Sequence, residues 1–123
     1  MISMSELNPH SYPITPEQEA NLNKLLGIMN QIRAAYGKPM TITSGLRSAA
    51  DQQRINPKAP KSNHLMGLAC DVADGDAALW AWCMLHMPLM EQFGVYFEDK
   101  NATVGWVHFQ CIPPKSGTRI FKP

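Results

Sequence analysis

The sequence predicts a single α+β domain, with a small antiparallel sheet of about four strands and helices packed on one of its faces. Three observations lead to this class. The chain has 123 residues, which suits one domain with one hydrophobic core. One long segment carries apolar residues at helical spacing, and several short segments alternate apolar and polar residues as strands do. At 45% apolar and 17% charged residues, the composition is that of a globular protein.

The clearest helix begins at Thr15-Pro16. Thr15 is the expected N-cap, Pro16 suits the first helical position, and Gln18 completes a capping box. The helix is predicted to end near Tyr36, because Gly37 follows. Its apolar stripe consists of Leu22, Leu25, Leu26, Met29, Ile32 and Tyr36. Shorter helical segments are predicted over residues 49–55 with Ser48 as cap, over residues 77–86, and from Pro88 to Gly94.

Four segments are predicted to be strands: residues 40–43, 68–73, 95–98 and 104–111, the last two forming a hairpin. In the second strand, alternation places Asp71 on the face opposite the apolar residues. In the fourth, His108 lies with Trp106 and Gln110 on the face away from the apolar residues. From Pro113 the chain is rich in proline, lysine and glycine, and residues 113–123 are expected to be a loosely held tail.

Charge, hydropathy and cysteine spacing argue against several classes of protein. The 11 basic and 10 acidic residues leave a formal net charge of +1, so nothing indicates a nucleic-acid partner. No stretch of 18 apolar residues exists, and the N-terminus lacks the basic and apolar regions of an export signal. We therefore expect synthesis in the cytoplasm without a signal peptide, and no membrane insertion. Cys70, Cys83 and Cys111 lack CxxC spacing, which favours buried free thiols over disulfides or a cysteine–zinc site.

The segment SNHLMGLACDV, residues 62–72, places an imidazole and a carboxylate seven residues apart. Gly67 permits a bend, so His64 can lie in the preceding loop while Asp71 projects from its strand. If the strands of Asp71 and His108 share a sheet, all three groups meet on the face away from the core. Such a set suits zinc, because three protein ligands leave the fourth position for a water that becomes nucleophilic. Spacing alone leaves open a structural His–Asp hydrogen bond with an unrelated strand histidine, and it does not exclude another divalent metal.

The chain contains three short sequence motifs, at residues 44–48, 62–71 and 106–108. The pattern Ser-x-His-x-x-Gly-x-Ala-x-Asp starts at Ser62, and Trp-x-His starts at Trp106. Upstream, SGLRS covers residues 44–48. Together they resemble the M15 zinc peptidases, the group of D-Ala-D-Ala carboxypeptidases and peptidoglycan endopeptidases, and in particular its compact phage-type members. The likeness runs from about Met40 to Gln110, with Leu46 in place of the family's usual aromatic residue.

The resemblance implies a fold of the hedgehog/DD-peptidase type, with a zinc cleft on the sheet face opposite the helices. It implies that His64, Asp71 and His108 are the zinc ligands. Arg47 would engage the substrate or its developing oxyanion, a role suited to a planar, permanently charged donor, although it could also be a surface arginine beside a helix start. Ser62 is expected to form hydrogen bonds near the site rather than to attack a carbonyl. With Trp106 and Arg47 it makes up the expected substrate-binding set.

The general base is less clearly marked. Some members of the family carry an acidic residue three positions before the last histidine, but Gly105 stands there in this chain. Others resemble this chain in having a glutamate before the Trp-x-His strand, which makes Glu98 the first candidate and Asp99 the second. A carboxylate in that position could take a proton from water and pass it to the leaving amine. The alternative is that both are solvated turn residues.

The function expected from the resemblance is zinc-dependent hydrolysis of an amide bond in peptidoglycan stem peptides, by a monomeric murein endopeptidase of the phage or prophage endolysin type. Such an enzyme would reach the cell wall with the help of a separate factor such as a holin. Two alternatives remain: a carboxypeptidase that removes the terminal D-alanine, and a non-catalytic zinc-containing module that binds cell-wall peptides. Gly105 favours the second of these, and the bond that is cut depends on loops such as residues 58–61.

Overall fold

The computed structural model describes all 123 residues and confirms the α+β class. The helices are α1 (Met4–Leu7), α2 (Pro16–Tyr36), α3 (Ala49–Ile55), α4 (Ala78–Leu85) and α5 (Met87–Phe93), with a 3-10 helix at Asn63–Met66. The strands are β1 (Ile42–Ser44), β2 (Ala69–Ala73), β3 (Tyr96–Glu98), β4 (Trp106–Gln110) and β5 (Ile120–Phe121). None of the helices combines the length and the apolar character needed to cross a membrane.

The five strands form one sheet in the order β1-β2-β4-β3-β5. The first four pair antiparallel, as predicted, whereas β5 is parallel to β3. This differs from the expected loose tail and the expected count of about four strands. The backbone N–H groups of Phe97 and Asp99 donate to the carbonyl oxygens of Arg119 and Phe121, so the tail satisfies an otherwise open sheet edge. A strand of two residues has no alternation, which is why the sequence pattern missed it.

Helix α2 shares one hydrophobic core with the apolar face of the sheet and supplies much of that core. Its start is as predicted: Thr15 accepts from the backbone N–H of Gln18, whose side chain accepts from the backbone N–H of Thr15. Its end at Gly37, with a left-handed backbone, is also confirmed. The buried residues of the helix are Leu22, Leu25, Ile28, Met29 and Ile32. The inward side chains of β2, β3 and β4 that join them are Cys70, Val72, Phe97, Val107 and Phe109.

The register between β2 and β4 determines what meets on the opposite face. Asp71 lies directly across from His108 in this antiparallel pair, so their side chains project from the same face. The 3-10 helix that precedes β2 ends at Gly67, whose φ of 74° is strained for any residue with a Cβ. A Cβ there would also meet Leu22 of α2. Gly67 therefore lets the chain turn tightly against the core and carries His64 to the polar face.

Gly45 is a second position where a side chain does not fit, and its replacement by alanine is expected to destabilise the fold. A Cβ at Gly45 would overlap the backbone carbonyl of Leu7, which accepts a 2.7 Å hydrogen bond from the N–H of Leu46. Because backbone cannot rotate away as a side chain can, we expect Gly45→Ala to lower the free energy of unfolding by about 2 kcal/mol. Urea unfolding measures this change.

Gly27→Ala is the matched control. Gly27 lies inside α2, and a Cβ there would meet nothing within 4 Å. Alanine at an open helical position is expected to raise the free energy of unfolding by about 0.5–1 kcal/mol. Equal effects of the two substitutions would contradict the close packing of residue 45 against α1.

Candidate metal centre

Three buried side chains meet on the polar face of the sheet. His64 comes from the 3-10 helix, Asp71 from β2 and His108 from β4. The Oδ1 atom of Asp71 lies 2.9 Å from Nδ1 of His108 and 3.3 Å from Nε2 of His64. The structure thus brings together all three residues that the resemblance marks as ligands, while their role in binding a metal stays a prediction.

A contact at Nδ1, the ring nitrogen that does not face Asp71, orients the ring of His64. Its Nδ1 lies 2.9 Å from the carbonyl oxygen of Gly45, which can only accept, so Nδ1 carries a proton, and Nε2, which points toward Asp71, is the nitrogen available to a metal. The hydroxyl of Ser62 accepts from the backbone N–H of His64 at 3.3 Å. Ser62 therefore caps the 3-10 helix beside the site, and its part in substrate binding stays a prediction.

The electrostatics of the cluster favour a cation. Burial by itself would raise the pKa of Asp71, but hydrogen bonds with His108 and His64 outweigh it and hold this pKa well below its usual range. Burial would likewise lower the pKa of His108, yet the hydrogen bond to Asp71 outweighs it and raises that pKa. The carboxylate thus stays ionised and attracts positive charge, whether a proton on His108 or a divalent cation among the three groups.

The donor set fits zinc. Two ligand atoms bound to a tetrahedral zinc at about 2.0–2.2 Å lie roughly 3.4 Å apart. The ligand atoms of His64, Asp71 and His108 all lie within 4.8 Å of one another, and the two distances from Asp71 to the histidines, 2.9 and 3.3 Å, are close to that spacing. Two imidazoles and one carboxylate are also a ligand set that zinc accepts, with one coordination position left over.

Arg47 is built into the site rather than free on the surface. Its Nη2 lies 3.2 Å from Oδ2 of Asp71, its Nε donates to the hydroxyl of Ser44 at 3.0 Å, and its Nη1 donates to Oε1 of Gln52 at 2.9 Å. These contacts hold the second carboxylate oxygen of Asp71 away from the histidines. They use three of the five N–H groups of a guanidinium, so two remain for another acceptor. Contact of Arg47 with a substrate stays a prediction.

Glu98 reaches the site from the end of β3, whereas Asp99 does not. Oε1 of Glu98 lies 3.9 Å from Nε2 of His108. Burial raises the pKa of Glu98; His108 opposes the rise and Asp71 adds to it. The carboxylate of Asp99 instead accepts from the backbone N–H of Asn101 in the exposed turn. Gly105, where the resemblance would allow an acidic residue, lies in the turn before β4 with a φ of 94°.

The cluster lies in an open cleft of about 690 Å³. Arg47, which follows β1, Gln52 of α3 and Phe121 of β5 line it. Trp106, at the start of β4, also lines the cleft and is 38% exposed, while its contact with a substrate stays a prediction. The tail predicted to be loose therefore forms part of the cleft wall.

Two buried glutamines, Gln52 and Gln110, are part of the site, and sequence reasoning did not single them out. Gln52 accepts from Arg47 and donates to the carbonyl of Ala59 at 2.9 Å. Oε1 of Gln110 lies 3.0 Å from Nε2 of His108. A signal existed for Gln110, because strand alternation places it on the face of His108. No pattern in α3 distinguishes Gln52 from its exposed neighbours.

The remaining histidines and the cysteines lie outside the site. His86 stacks on Trp82 and His10 lies against Tyr12, so neither joins a ligand cluster. The cysteines are free and buried, as expected. Burial raises the pKa of Cys83 to about 12 and that of Cys70 further, which keeps both thiols protonated and disfavours metal binding.

The fold and the site together define a class: an α+β domain whose open cleft holds a His-Asp-His cluster that could bind a metal, with a carboxylate beside it. Comparison with protein families then identifies the particular family. The sequence model described as Peptidase M15 matches residues 4–108, a range that includes every residue of the cluster. The chain therefore belongs to the M15 peptidase family, whose members are typically zinc-dependent. Comparison with curated proteins and with solved structures gives no significant match.

Proposed function

We propose that the protein is a zinc peptidase that hydrolyses an amide bond in peptidoglycan stem peptides. The observation that carries the proposal is the convergence of His64, Asp71 and His108 in an open cleft, with Glu98 beside them. Family membership supports peptidase activity and a peptide substrate. Two further parts of the proposal rest on the resemblance of the motifs to compact phage-type members. They are the cell-wall substrate and the endolysin-type setting, in which a separate factor such as a holin gives access to the wall.

His64 Nε2, Asp71 Oδ1 and His108 Nδ1 are the atoms that would hold the metal. Bound there, zinc would supply Lewis acidity, which polarises a carbonyl and makes water acidic. Glu98 takes the proton of the attacking water and delivers it to the leaving amine. Its position supports this role, because Oε1 lies near the cluster without a direct hydrogen bond to it.

The cleft offers positive charge for an acidic substrate. Arg47 retains two N–H groups after its contacts with the protein, and Lys61 and Lys115 also line the cleft. Peptidoglycan stem peptides carry carboxylates, which a guanidinium binds well. Arg47 is proposed to bind the substrate carbonyl or a nearby carboxylate, and Trp106 to pack against the peptide.

Two other functions remain in competition. A D-Ala-D-Ala carboxypeptidase would use the same cleft but release a single terminal residue. A non-catalytic module that binds cell-wall peptides is favoured by one observation, the glycine at position 105 in place of an acidic residue. The position of Glu98 in the cleft favours an enzyme over that module.

Mass spectrometry of the products released from purified peptidoglycan by zinc-loaded protein tests the proposal. We expect defined peptide fragments that name the bond, and their loss both in a chelated sample and in His108→Ala. Release of D-alanine alone would identify the carboxypeptidase. A folded, zinc-loaded sample that releases nothing from several wall types would contradict the peptidase and favour the binding module.

A further inference from the structure

The buried side chain of Gln110 lies next to His108, one of the proposed metal ligands. It follows His108 by two residues in β4, so both side chains project from the same face of the sheet. Its Oε1 lies 3.0 Å from Nε2 of His108, on the side of the ring opposite Asp71. Gln110 is only 3% exposed, so water does not compete for this contact.

The orientation of the Gln110 amide follows from its other partners. Its Nε2 donates at 2.8 Å to the carbonyl oxygen of Ile112, a group that can only accept. This leaves Oε1 facing His108, and Nδ2 of Asn63 donates to the same oxygen at 3.2 Å. Because Oε1 is an acceptor, the ring nitrogen that faces it must be the donor. When His108 binds a metal and keeps a single proton, that proton therefore lies on Nε2, and Nδ1, which faces Asp71, is the atom left for the metal.

We propose that Gln110 is a positioning residue that selects Nδ1 of His108 as the metal-binding atom. This role rests on the proposed zinc site. A metal ligand whose other nitrogen donates to a fixed acceptor is held in one tautomer and one ring orientation. Gln110 has a second effect on Glu98, whose Oε1 is 3.9 Å from the same nitrogen. Since the amide oxygen of Gln110 accepts the hydrogen bond from Nε2–H, the Glu98 carboxylate is left free for proton transfer in the cleft.

Two substitutions separate positioning from packing. Gln110→Met keeps the length and shape of the side chain but removes the acceptor for His108. Gln110→Glu keeps an acceptor for His108. Both lose the hydrogen bond from Nε2 to Ile112, so both are expected to unfold more easily in the presence of chelator. Only Gln110→Met should bind zinc more weakly, by about 10- to 100-fold, as measured by competition with a chromophoric chelator.

The zinc-loaded wild-type protein provides a test that needs no variant. A long-range ¹H–¹⁵N correlation spectrum should show His108 bound through Nδ1 with its proton on Nε2. Binding of His108 through Nε2 would overturn the inference, and so would wild-type zinc affinity in Gln110→Met. Neither of these two results would contradict the proposed peptidase function. A wild-type protein that binds no zinc would overturn the proposed metal centre and the role of Gln110 together.

Discussion

Replacement of Glu98 by glutamine is expected to lower the rate of stem-peptide hydrolysis by about 100- to 10,000-fold. Glutamine has nearly the shape of glutamate, so the cleft and the contacts around His108 should persist. It cannot take a proton from water, however, and the carboxylate of Glu98 is the one that reaches the cluster from β3. Initial rates on a purified stem peptide measure the loss, while zinc content and circular dichroism should stay at wild-type values.

Asp99→Asn is the matched control for this substitution, since it makes the same chemical change one residue away. The carboxylate of Asp99 accepts from the backbone N–H of Asn101, and asparagine can still accept there. We expect a rate close to that of the wild type. Loss of activity in Asp99→Asn with retention in Glu98→Gln would move the general base to Asp99. Full activity in both variants would exclude both residues as the base.

Asp71→Asn is expected to abolish stoichiometric zinc binding and to destabilise the protein even without metal. Asp71 contacts both histidines, and its Oδ2 pairs with Arg47 in a setting where both side chains are largely buried. The neutral amide removes the anionic ligand and leaves the guanidinium without its partner. Breaking a buried pair on one side costs about 3 kcal/mol. Metal analysis after dialysis and urea unfolding in chelator measure the two effects.

Asp51→Asn supplies the comparison, because Asp51 also pairs with an arginine but lies outside the metal centre. Its partner Arg54 is 72% exposed. An ion pair with so exposed a partner contributes little, and an asparagine oxygen can still accept from the hydroxyl of Tyr12, so this variant should keep its zinc and lose less stability than Asp71→Asn. If Asp71→Asn retained zinc with wild-type affinity, the carboxylate would not be a ligand and the proposed metal centre would be wrong.

The sequence predicted those parts of the molecule whose signals are local. Helix α2 begins at a capping box and ends at Gly37, and both signals lie within a few residues of the ends that they mark. The meeting of Asp71 with His108 was predictable because alternation fixes the face of each side chain, and only the pairing of their strands had to be assumed. Helix α4 was predicted, but its cap was not: the carboxylate of Asp74 accepts from the backbone N–H groups of Leu79 and Trp80.

The parts that could not be predicted depend on contacts between distant segments. Strand β5 has two residues, and it forms because the edge of β3 is open. The pairing of Arg47 with Asp71 joins residues 24 apart in sequence. Whether such an arginine faces solvent, a substrate or a carboxylate depends on how the chain leaves β1, which is not encoded in any short pattern. Which of the two carboxylates, Glu98 or Asp99, lies near the cluster depends on the residue at which β3 ends.

The pairing register of β2 and β4 determines how strongly the correct strand alignment is preferred over slipped alignments during folding. Side chains alternate with a period of two, so a slip of one residue in β2 would turn Asp71 into the apolar core and bring Cys70 or Val72 to the polar face. The slipped pairing would bury a carboxylate away from Arg47 and separate it from His108. The polar cluster thus discriminates against misaligned sheets, and any ion bound only by the correct alignment widens the energy gap between that alignment and its competitors.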